Sequence, residues 1–225
     1  MRSFKNYFLP LALLVLVSCN NNPEDVVDDS NIVGSGGTFD MPLNVAPKSL
    51  NPRSIIDFYS ASIANQVYEG LVRFNSKTLK PEAAIASSYK PSEDLKTFVF
   101  TLRDDVKFHD SPLFKGGKGR ILTGADVKKS FEYYCNSKVK GDPIAYLNMF
   151  KNSVVGADDF YEGTASEISG IVVKGNQVTI SLIEGDANFI NKLCMVSALI
   201  LPIEAIEQNK VEDGVGSGPF ILEEW

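Results

Sequence analysis

Residues 97–102 alternate between large apolar side chains and threonine or valine. Phe98, Phe100 and Leu102 fall on one face of an extended chain, because successive side chains of a strand point to opposite sides. A period of two is typical of a strand with one buried face. We therefore predict a β-strand over these six residues, with the two phenylalanines and the leucine in the core.

Two further regions are predicted to be extended. Residues 38–45 resemble a short strand that leads into a proline-bracketed turn at 46–52. Residues 171–173 and 178–182 are rich in β-branched side chains, and the Lys-Gly-Asn-Gln segment between them tolerates the positive φ that tight turns need. The second pair predicts a β-hairpin.

Helical spacing of apolar residues marks two longer segments. Between residues 60 and 71 the apolar side chains recur every three to four positions, which predicts an amphipathic helix. In the second segment, Thr123 precedes an apolar stripe and Asp126 follows it by three positions. This spacing predicts that a helix begins at Thr123 as its N-cap and that Asp126 completes a capping box.

Shorter helices are predicted near the end of the chain, over residues 187–194 and 203–208. Strands and helices therefore follow one another without the regular alternation that a doubly wound parallel sheet would show. The fold class indicated by these patterns is α/β, with a mixed sheet. The 225 residues, of which 44% are hydrophobic, suffice for one or two domains with a sizeable core.

The first eighteen residues have the layout of an export signal. Arg2 and Lys5 precede the apolar run 8–17, which is shorter than the roughly 20 residues that a transmembrane helix needs. Leu-Val-Ser-Cys at 16–19 resembles the lipobox of bacterial lipoproteins, which implies that residues 1–18 are removed and that Cys19 is lipidated. Acyl chains on Cys19 would anchor the protein at a membrane surface in the cell envelope.

The segment 19–37 is polar, acidic and then glycine-rich, so we expect a flexible tether between the anchor and a folded part that begins near Thr38. The whole chain has a formal net charge of -6. An acidic protein is a poor partner for nucleic acid, since phosphate binding needs a basic surface. Charge therefore excludes nucleic acid and leaves peptides and other small solutes open.

Candidate catalytic and metal-binding groups are scarce. His109 is the single histidine of the chain, and it follows the predicted strand, where we expect its ring to bond a backbone group of a turn. Phosphate-loop, dinucleotide-binding and nucleophile-elbow motifs are missing from the sequence. We expect no enzyme, no cofactor and no metal. Cys135 and Cys194 either form a disulfide or remain core thiols, and the sequence does not decide between these.

Six segments, taken together and in order, resemble the extracellular solute-binding protein family that serves dipeptide, oligopeptide and nickel ABC importers. The longest is Asp-Leu-Lys-Thr-Phe-Val-Phe-Thr-Leu-Arg-Asp-Asp-Val-Lys-Phe-His-Asp at 94–110. The others are Ser-Leu-Asn-Pro at 49–52, Tyr-Glu-Gly-Leu-Val at 68–72, the proline-led segment 80–89, the helix 122–133 and Gly-Ser-Gly-Pro-Phe-Ile-Leu at 216–222. One departure is Ser111, where the family usually has glycine, followed by a longer connection to residue 121.

The resemblance implies a periplasmic-binding-protein-like fold of type II, with two lobes and a small inserted α/β domain. Residues 38–68 and 168–225 would form the partial first lobe, and residues 69–167 the inserted domain. Family members continue well beyond a length of 225 residues. The resemblance therefore implies that this chain is an N-terminal part and that its second lobe is missing.

The same resemblance implies a function and a site. Family members capture their ligand by hinge closure between the lobes, and the membrane subunits of an importer recognise the closed form. Carried over by position, Ile56, Asp57, Phe58 and Tyr59 would run beside a bound peptide, and we expect the protein to be a monomer. The equally open alternative for these four residues is a loop with two aromatic side chains packed beneath it.

Two other functions remain compatible with the sequence. The same fold could bind a different solute, namely a nickel chelate, haem or an oligosaccharide. The chain could also belong to a surface or sensory lipoprotein that has no part in transport. Binding assays separate the first alternative from peptide capture, and the presence or absence of importer genes nearby bears on the second.

Overall fold

The computed structural model describes Thr38 and residues 40–224, and contacts divide the chain into one unit that ends at Pro42 and another that begins at Leu43. The described residues of the first unit are exposed and lie in no helix or strand. The strand predicted over 38–45 is wrong for the residues described, and Pro42 removes one of the donors that such a strand would need. The predicted signal peptide 1–18, Cys19 and the tether lie outside the described residues.

The second unit contains helices, strands and several short helical turns. Its α-helices are α1 (Phe58–Val67), α2 (Gly124–Tyr134), α3 (Ala157–Glu162), α4 (Phe189–Lys192) and α5 (Ile203–Glu207). Its strands are β1 (Val72–Phe74), β2 (Pro81–Ala83), β3 (Ala86–Pro91), β4 (Thr97–Leu102), β5 (Ile171–Lys174) and β6 (Gln177–Ser181). A π-helical turn covers Tyr146–Phe150. Within this described part, no helix is both long enough and apolar enough to cross a membrane.

Four strands form the main sheet in the order β3-β4-β6-β5, and β1 pairs with β2 in a separate ribbon. The described strand pairs are all antiparallel. In the register of the sheet, Phe98 lies opposite Ile180 and Phe100 lies opposite Val178, so the apolar faces of β4 and β6 coincide. The strand at 97–102 is confirmed, and the hairpin predicted near 171–182 is confirmed as β5 and β6.

Helix α2 packs on the sheet through β5 and β6. Val127, Phe131 and Tyr134 are fully buried, as the apolar stripe of the sequence predicts. Its first residue, Gly124, lies so close to β5 that a Cβ there would be 2.5 Å from a methyl group of Val173. The predicted capping box is present, since the side chains and backbone groups of Thr123 and Asp126 bond one another. The start of α2 is therefore held by local sequence and by close contact with the sheet.

Helix α1 differs from its predicted range of 60–71. It begins two residues earlier because the Asp57 side chain accepts a hydrogen bond from the Ser60 amide and acts as N-cap. It ends at Val67 because Tyr68 adopts extended backbone angles, and Gly70 pairs with Leu199 in an isolated bridge. The apolar period continues past Val67, but the residues after it join extended structure.

The boundary predicted between residues 167 and 168 divides the inserted domain from the first lobe. In the structure, β4 lies before that boundary and β6 after it, and the two strands are neighbours in one sheet. The division of residues 38–68, 69–167 and 168–225 among lobe and insertion stays a prediction, and any final boundary has to keep β4 and β6 together.

Candidate ligand-binding segment

The turn that precedes α1 is fixed to a distant part of the chain by the carboxylate of Glu212. The Ser49 hydroxyl donates to Oε1 of Glu212 at 2.7 Å, and the Leu50 amide donates to Oε2 at 2.7 Å. Leu50 is fully buried, and Ile55 at the end of the turn is 4% exposed. The turn therefore forms a buried base under the residues that follow it.

Ser60 connects the two sides of this turn. Its hydroxyl accepts hydrogen bonds from the backbone amides of Lys48 at 2.9 Å and Ser49 at 3.4 Å. Its own amide donates to Oδ1 of Asp57 at 2.8 Å. A buried side chain in the first turn of α1 thus holds the chain that enters the turn beside the chain that leaves it.

The four predicted ligand contacts lie together where this turn meets α1. Ile56 and Phe58 are 77% and 78% exposed, whereas Asp57 and Tyr59 are partly buried. The rings of Phe58 and Tyr59 meet edge to face with their centroids 5.8 Å apart. The alternative of two aromatic side chains packed beneath a loop is wrong for Phe58, because its ring faces outward.

Asp57 has a structural role at this position. Hydrogen bonds donated by Ser60, first from its amide, lower the pKa of the Asp57 carboxyl below its usual value, and the positive charge of Lys48 acts in the same direction. The carboxylate is therefore ionised at neutral pH while it caps α1. Its negative charge also interacts favourably with the positive end of the helix dipole.

The main chain at Ile56 has no hydrogen-bond partner in the described part of the protein, and the same is true of the buried Ile55 before it. Among residues 40–224, no hydrogen bond is made by the N–H or by the C=O group of Ile56. Both groups are thus available to an extended ligand that pairs with the chain as an added strand would. Exposed apolar side chains beside an unpaired main chain are what such a ligand requires.

His109 has the backbone partner that the sequence analysis predicts. Its Nε2 lies 2.7 Å from the carbonyl oxygen of Gly218, which can only accept, so Nε2 carries the proton. The His109 amide donates to the carbonyl oxygen of Gly216 at 2.8 Å. The histidine therefore fixes the glycine-proline run at 216–219 against the rest of the unit.

The two cysteines of the described region do not form a disulfide. Cys135, the C-cap of α2, is fully buried in the core. Cys194 is partly buried and lines a cavity of about 280 Å³ together with Val72 and Leu199. Desolvation raises the pKa of the Cys194 thiol to about 11. The thiol is therefore protonated at neutral pH.

The family resemblance points to the four contact candidates but not to the groups that hold them, Ser60 and Glu212. Glu212 lies 163 residues from its partner Ser49, so no local pattern connects them. Across residues 40–224, no group of three or more histidine, cysteine or acidic side chains is arranged to hold a metal ion. Cys19, the predicted lipidation site, lies outside the described residues.

A family model matches residues 80–225 of the chain, and its description is "Bacterial extracellular solute-binding proteins, family 5 Middle". The match covers more than half of the sequence. It includes the sheet, α2 and the glycine-proline run, all of which the residue patterns also single out.

Relatives of known name agree with this match. The chain is 24% identical over 194 residues to the oligopeptide-binding protein OppA of Bacillus subtilis, and 29% identical over 195 residues to the dipeptide-binding protein of Escherichia coli. These alignments cover 84% and 80% of this chain but only 34% of each relative.

A solved structure shows the same fold. It is the periplasmic binding protein DppA of Helicobacter pylori in complex with the peptide STSA, with a TM-score of 0.66 and 23% identity. The superposition covers 80% of this chain and 35% of that one. The predicted fold class, a periplasmic-binding-protein-like α/β fold, is confirmed, and the chain spans about a third of the length of these proteins.

Proposed function

We propose that this chain, which belongs to family 5 of the bacterial extracellular solute-binding proteins, is part of a receptor that captures short peptides for an ABC importer. The observation that carries the proposal is the surface at residues 56–58. Ile56 and Phe58 are more than three-quarters exposed, and the main chain of Ile56 has no partner among residues 40–224. Ile56 and Phe58 are the two most exposed large apolar side chains among the described residues, which favours them as part of a binding surface.

The geometry favours an extended peptide over a compact solute. An extended backbone can pair with the free N–H and C=O of Ile56, and its side chains can then rest on Ile56 and Phe58. Tyr59, which meets the Phe58 ring edge to face, would support that ring from the side. Asp57 contributes a negative charge at the start of α1. Because it lies between Ile56 and Phe58, it could attract the ammonium group of a ligand bound there.

The proposed mechanism is hinge closure onto this surface by a second lobe. Contacts from both lobes to the peptide favour the closed form, and the closed form is what the importer membrane subunits would recognise. The named relatives, an oligopeptide-binding and a dipeptide-binding protein, support peptides as the ligand class. The proposal assigns no catalytic residue and no cofactor to the chain.

The proposal places the protein in the cell envelope, as a monomer anchored to a membrane on its periplasmic or extracellular face. The lipobox-like sequence that ends at Cys19 and the polar segment 19–37 support lipid anchoring with a flexible tether. Metabolic labelling with a palmitate analogue tests this, since Cys19→Ala should abolish the label while Cys194→Ala retains it. Label on the Cys19→Ala variant would contradict anchoring at this residue.

Peptide capture is tested by titration calorimetry on the complete native polypeptide that carries this sequence. The probes are trialanine, tetraalanine and the tetrapeptide Ser-Thr-Ser-Ala. We expect at least one to bind, and the double variant I56S/F58S to bind it at least tenfold more weakly. The matched control is L147S/I183S, which replaces two apolar side chains that are 49% and 47% exposed elsewhere on the surface.

Three results would contradict the proposal. Equal affinity of wild type and I56S/F58S for the peptide would show that residues 56–58 do not form the binding surface. Binding of a nickel chelate, haem or an oligosaccharide, with no binding of any peptide, would favour the same fold with another solute. Failure to bind any of these would favour a surface or sensory lipoprotein.

A further inference from the structure

Arg53 is a buried arginine three residues before the candidate segment. Its side chain is 1% exposed. Its Nη1 donates to the carbonyl oxygens of Gly141 at 2.7 Å and Lys140 at 3.4 Å, and its Nη2 donates to that of Asn136 at 3.1 Å. All three acceptors lie in the loop that follows α2, so the guanidinium joins the turn before α1 to the end of α2.

No carboxylate forms a salt bridge with this arginine within residues 40–224. Its Nε is buried and has no hydrogen-bond partner. Desolvation lowers the pKa of Arg53 from its usual value, but an arginine remains charged at any physiological pH. The charge is balanced by the carbonyl dipoles, by the nearby carboxylate of Asp142 and by the negative end of α2, since Asn136 comes just after Cys135, the C-cap of that helix.

The main chain around Arg53 is fixed to the same region. Oδ1 of Asn51 accepts from the Arg53 amide at 3.1 Å, and Nδ2 of Asn51 donates to the Tyr133 hydroxyl at 2.8 Å. The Arg53 carbonyl oxygen accepts from the amide of Ala145 at 2.9 Å. We call this set of contacts, made by Asn51, Arg53, Tyr133 and Ala145, the turn anchor.

A buried charge is a costly way to stabilise a fold. Replacing a buried ionic group by well-packed apolar residues is often neutral or stabilising, because desolvation offsets the attraction. What a guanidinium provides is direction, since its planar donors reach several carbonyl oxygens at fixed angles and a lysine ammonium does not. The arrangement therefore suits a role in holding the backbone in one position.

We propose that Arg53 is a positioning residue for ligand binding, which acts by fixing the base from which Ile56 and Phe58 project. The inference rests on the proposed function of residues 56–59. Arg53 does not touch the ligand. It holds the turn against the end of α2, so that the free main chain of Ile56 is presented in one orientation and little ordering is required when a peptide binds.

The test compares R53K with R120K in the complete native polypeptide. Arg120 is a second arginine, located just before the start of α2. It donates to Asp126 and Glu204 and to none of the residues in the turn anchor. The probe is the peptide of the panel above that binds wild type most tightly. We expect R53K to bind it at least tenfold more weakly, and R120K to have a lower melting temperature but an unchanged Kd.

Hydrogen–deuterium exchange gives a readout that a general loss of stability would not produce. In R53K, the hydrogen-bonded amides at residues 53, 54 and 145 should exchange at least tenfold faster without ligand, while amides of β4 and β6 exchange as in wild type. R120K should leave the amides at 53, 54 and 145 unchanged. If R53K folds, binds as wild type and shows no local change in exchange, the inference is wrong.

Y133F provides a second variant in case R53K does not fold. It removes only the hydroxyl that accepts from Asn51, and we expect binding to weaken two- to fivefold. An unchanged Kd for Y133F, with R53K unfolded, would overturn the inference. If wild type binds no peptide, the proposed function fails, and the local exchange of R53K against R120K still decides whether Arg53 positions the turn.

Discussion

Helix α2 is contacted by an arginine near each end, and the two arginines have opposite surroundings. Arg120 donates to both carboxylate oxygens of Asp126, in the first turn of the helix, and to those of Glu204 in α5. Arg53 reaches the other end of α2, and its acceptors are backbone carbonyl oxygens only. The two regions show how one residue type can serve packing in one place and backbone placement in another.

The Arg120 region is built as a closed charge network. Asp126 is 0% exposed and also accepts from the amide and the hydroxyl of Thr123. The hydrogen bonds that Arg120 donates to Asp126 raise the pKa of Arg120, and the guanidinium lies over the ring of Phe108, 5.4 Å from its centroid. Because each charge has a partner, this region joins α2 to α5 and contributes to the stability of the fold.

The Arg53 region is open by comparison. Lys140 and Gly141, which supply two of its acceptors, are exposed residues, so water can replace the guanidinium at their carbonyl groups. The cost of losing an arginine therefore depends on the groups that it leaves without a partner. Removing Arg120 leaves a buried carboxylate, and removing Arg53 leaves carbonyl groups that water can reach.

The largest expected effect follows from R120M. This variant leaves the buried carboxylate of Asp126 without its cation, and we expect the free energy of unfolding to fall by about 3 kcal/mol. Urea unfolding followed by circular dichroism measures it. The double variant R120M/D126N should recover part of the loss, because no buried charge remains. A loss below about 1 kcal/mol for R120M would contradict a closed charge network.

A smaller effect is expected from R53M under the same conditions. Methionine fills most of the buried volume, and the exposed carbonyl groups of Lys140 and Gly141 gain water, so we expect a loss of about 1–2 kcal/mol. The comparison of the two arginines fails if R53M destabilises the fold as much as R120M does.

Glu132, also on α2, has no arginine partner among residues 40–224 and provides a pH-dependent test. Burial is the main cause that raises the pKa of this half-buried carboxyl above its usual value of 4.5. A raised pKa means that the folded state binds the proton more tightly than the unfolded state does. The ionised form therefore destabilises the fold, and this penalty grows as pH rises from 4.5 through the folded-state value.

E132Q should consequently increase the free energy of unfolding at pH 7, by no more than about 0.5–1 kcal/mol because the side chain is partly solvated. At pH 4 the increase should fall close to zero, since the carboxyl is then mostly protonated in both states. Urea unfolding at the two pH values measures the difference. E162Q, at an exposed position of α3, is the matched control. Destabilisation by E132Q at pH 7 would show that the carboxylate has a favourable partner after all.

The double variant I56S/F58S should weaken peptide binding but have the smallest effect on the stability of the fold. I56S/F58S removes two exposed apolar side chains, so the free energy of unfolding should change by no more than about 0.5 kcal/mol. Thermal unfolding without ligand measures this. A loss above about 1.5 kcal/mol would mean that these side chains belong to the core and would weaken their assignment to the ligand surface.

The elements that the sequence predicts well are those determined by local spacing. The alternation at 97–102 matches β4, and the Thr123 and Asp126 pair matches the start of α2. In both, the residues that specify the element lie within a few positions of one another. The strand predicted at 38–45 fails because β-propensity does not supply a pairing partner.

The position of the candidate site stays a prediction from the family resemblance, and the contacts that build it could not be predicted from the sequence. The resemblance to a family identifies residues 56–59, whereas the exposure of Ile56 and the outward ring of Phe58 are visible only in the structure. Arg53 and its acceptor Gly141 are 88 residues apart in sequence. Contacts between residues so far apart depend on the topology of the whole unit, so no local sequence pattern predicts them.

Gly216 has a consequence for comparing sequences. A Cβ at this position would lie 2.0 Å from the carbonyl oxygen of Val67, at the end of α1, which is closer than any real contact. Gly218 is confined in the same way, with 2.5 Å to the carbonyl oxygen of Gln66. Glycine at both positions therefore indicates that the segment 216–218 lies directly against the end of α1. A homologue with larger residues at both places must carry a displaced α1, and its alignment to residues 56–59 would no longer transfer a ligand site.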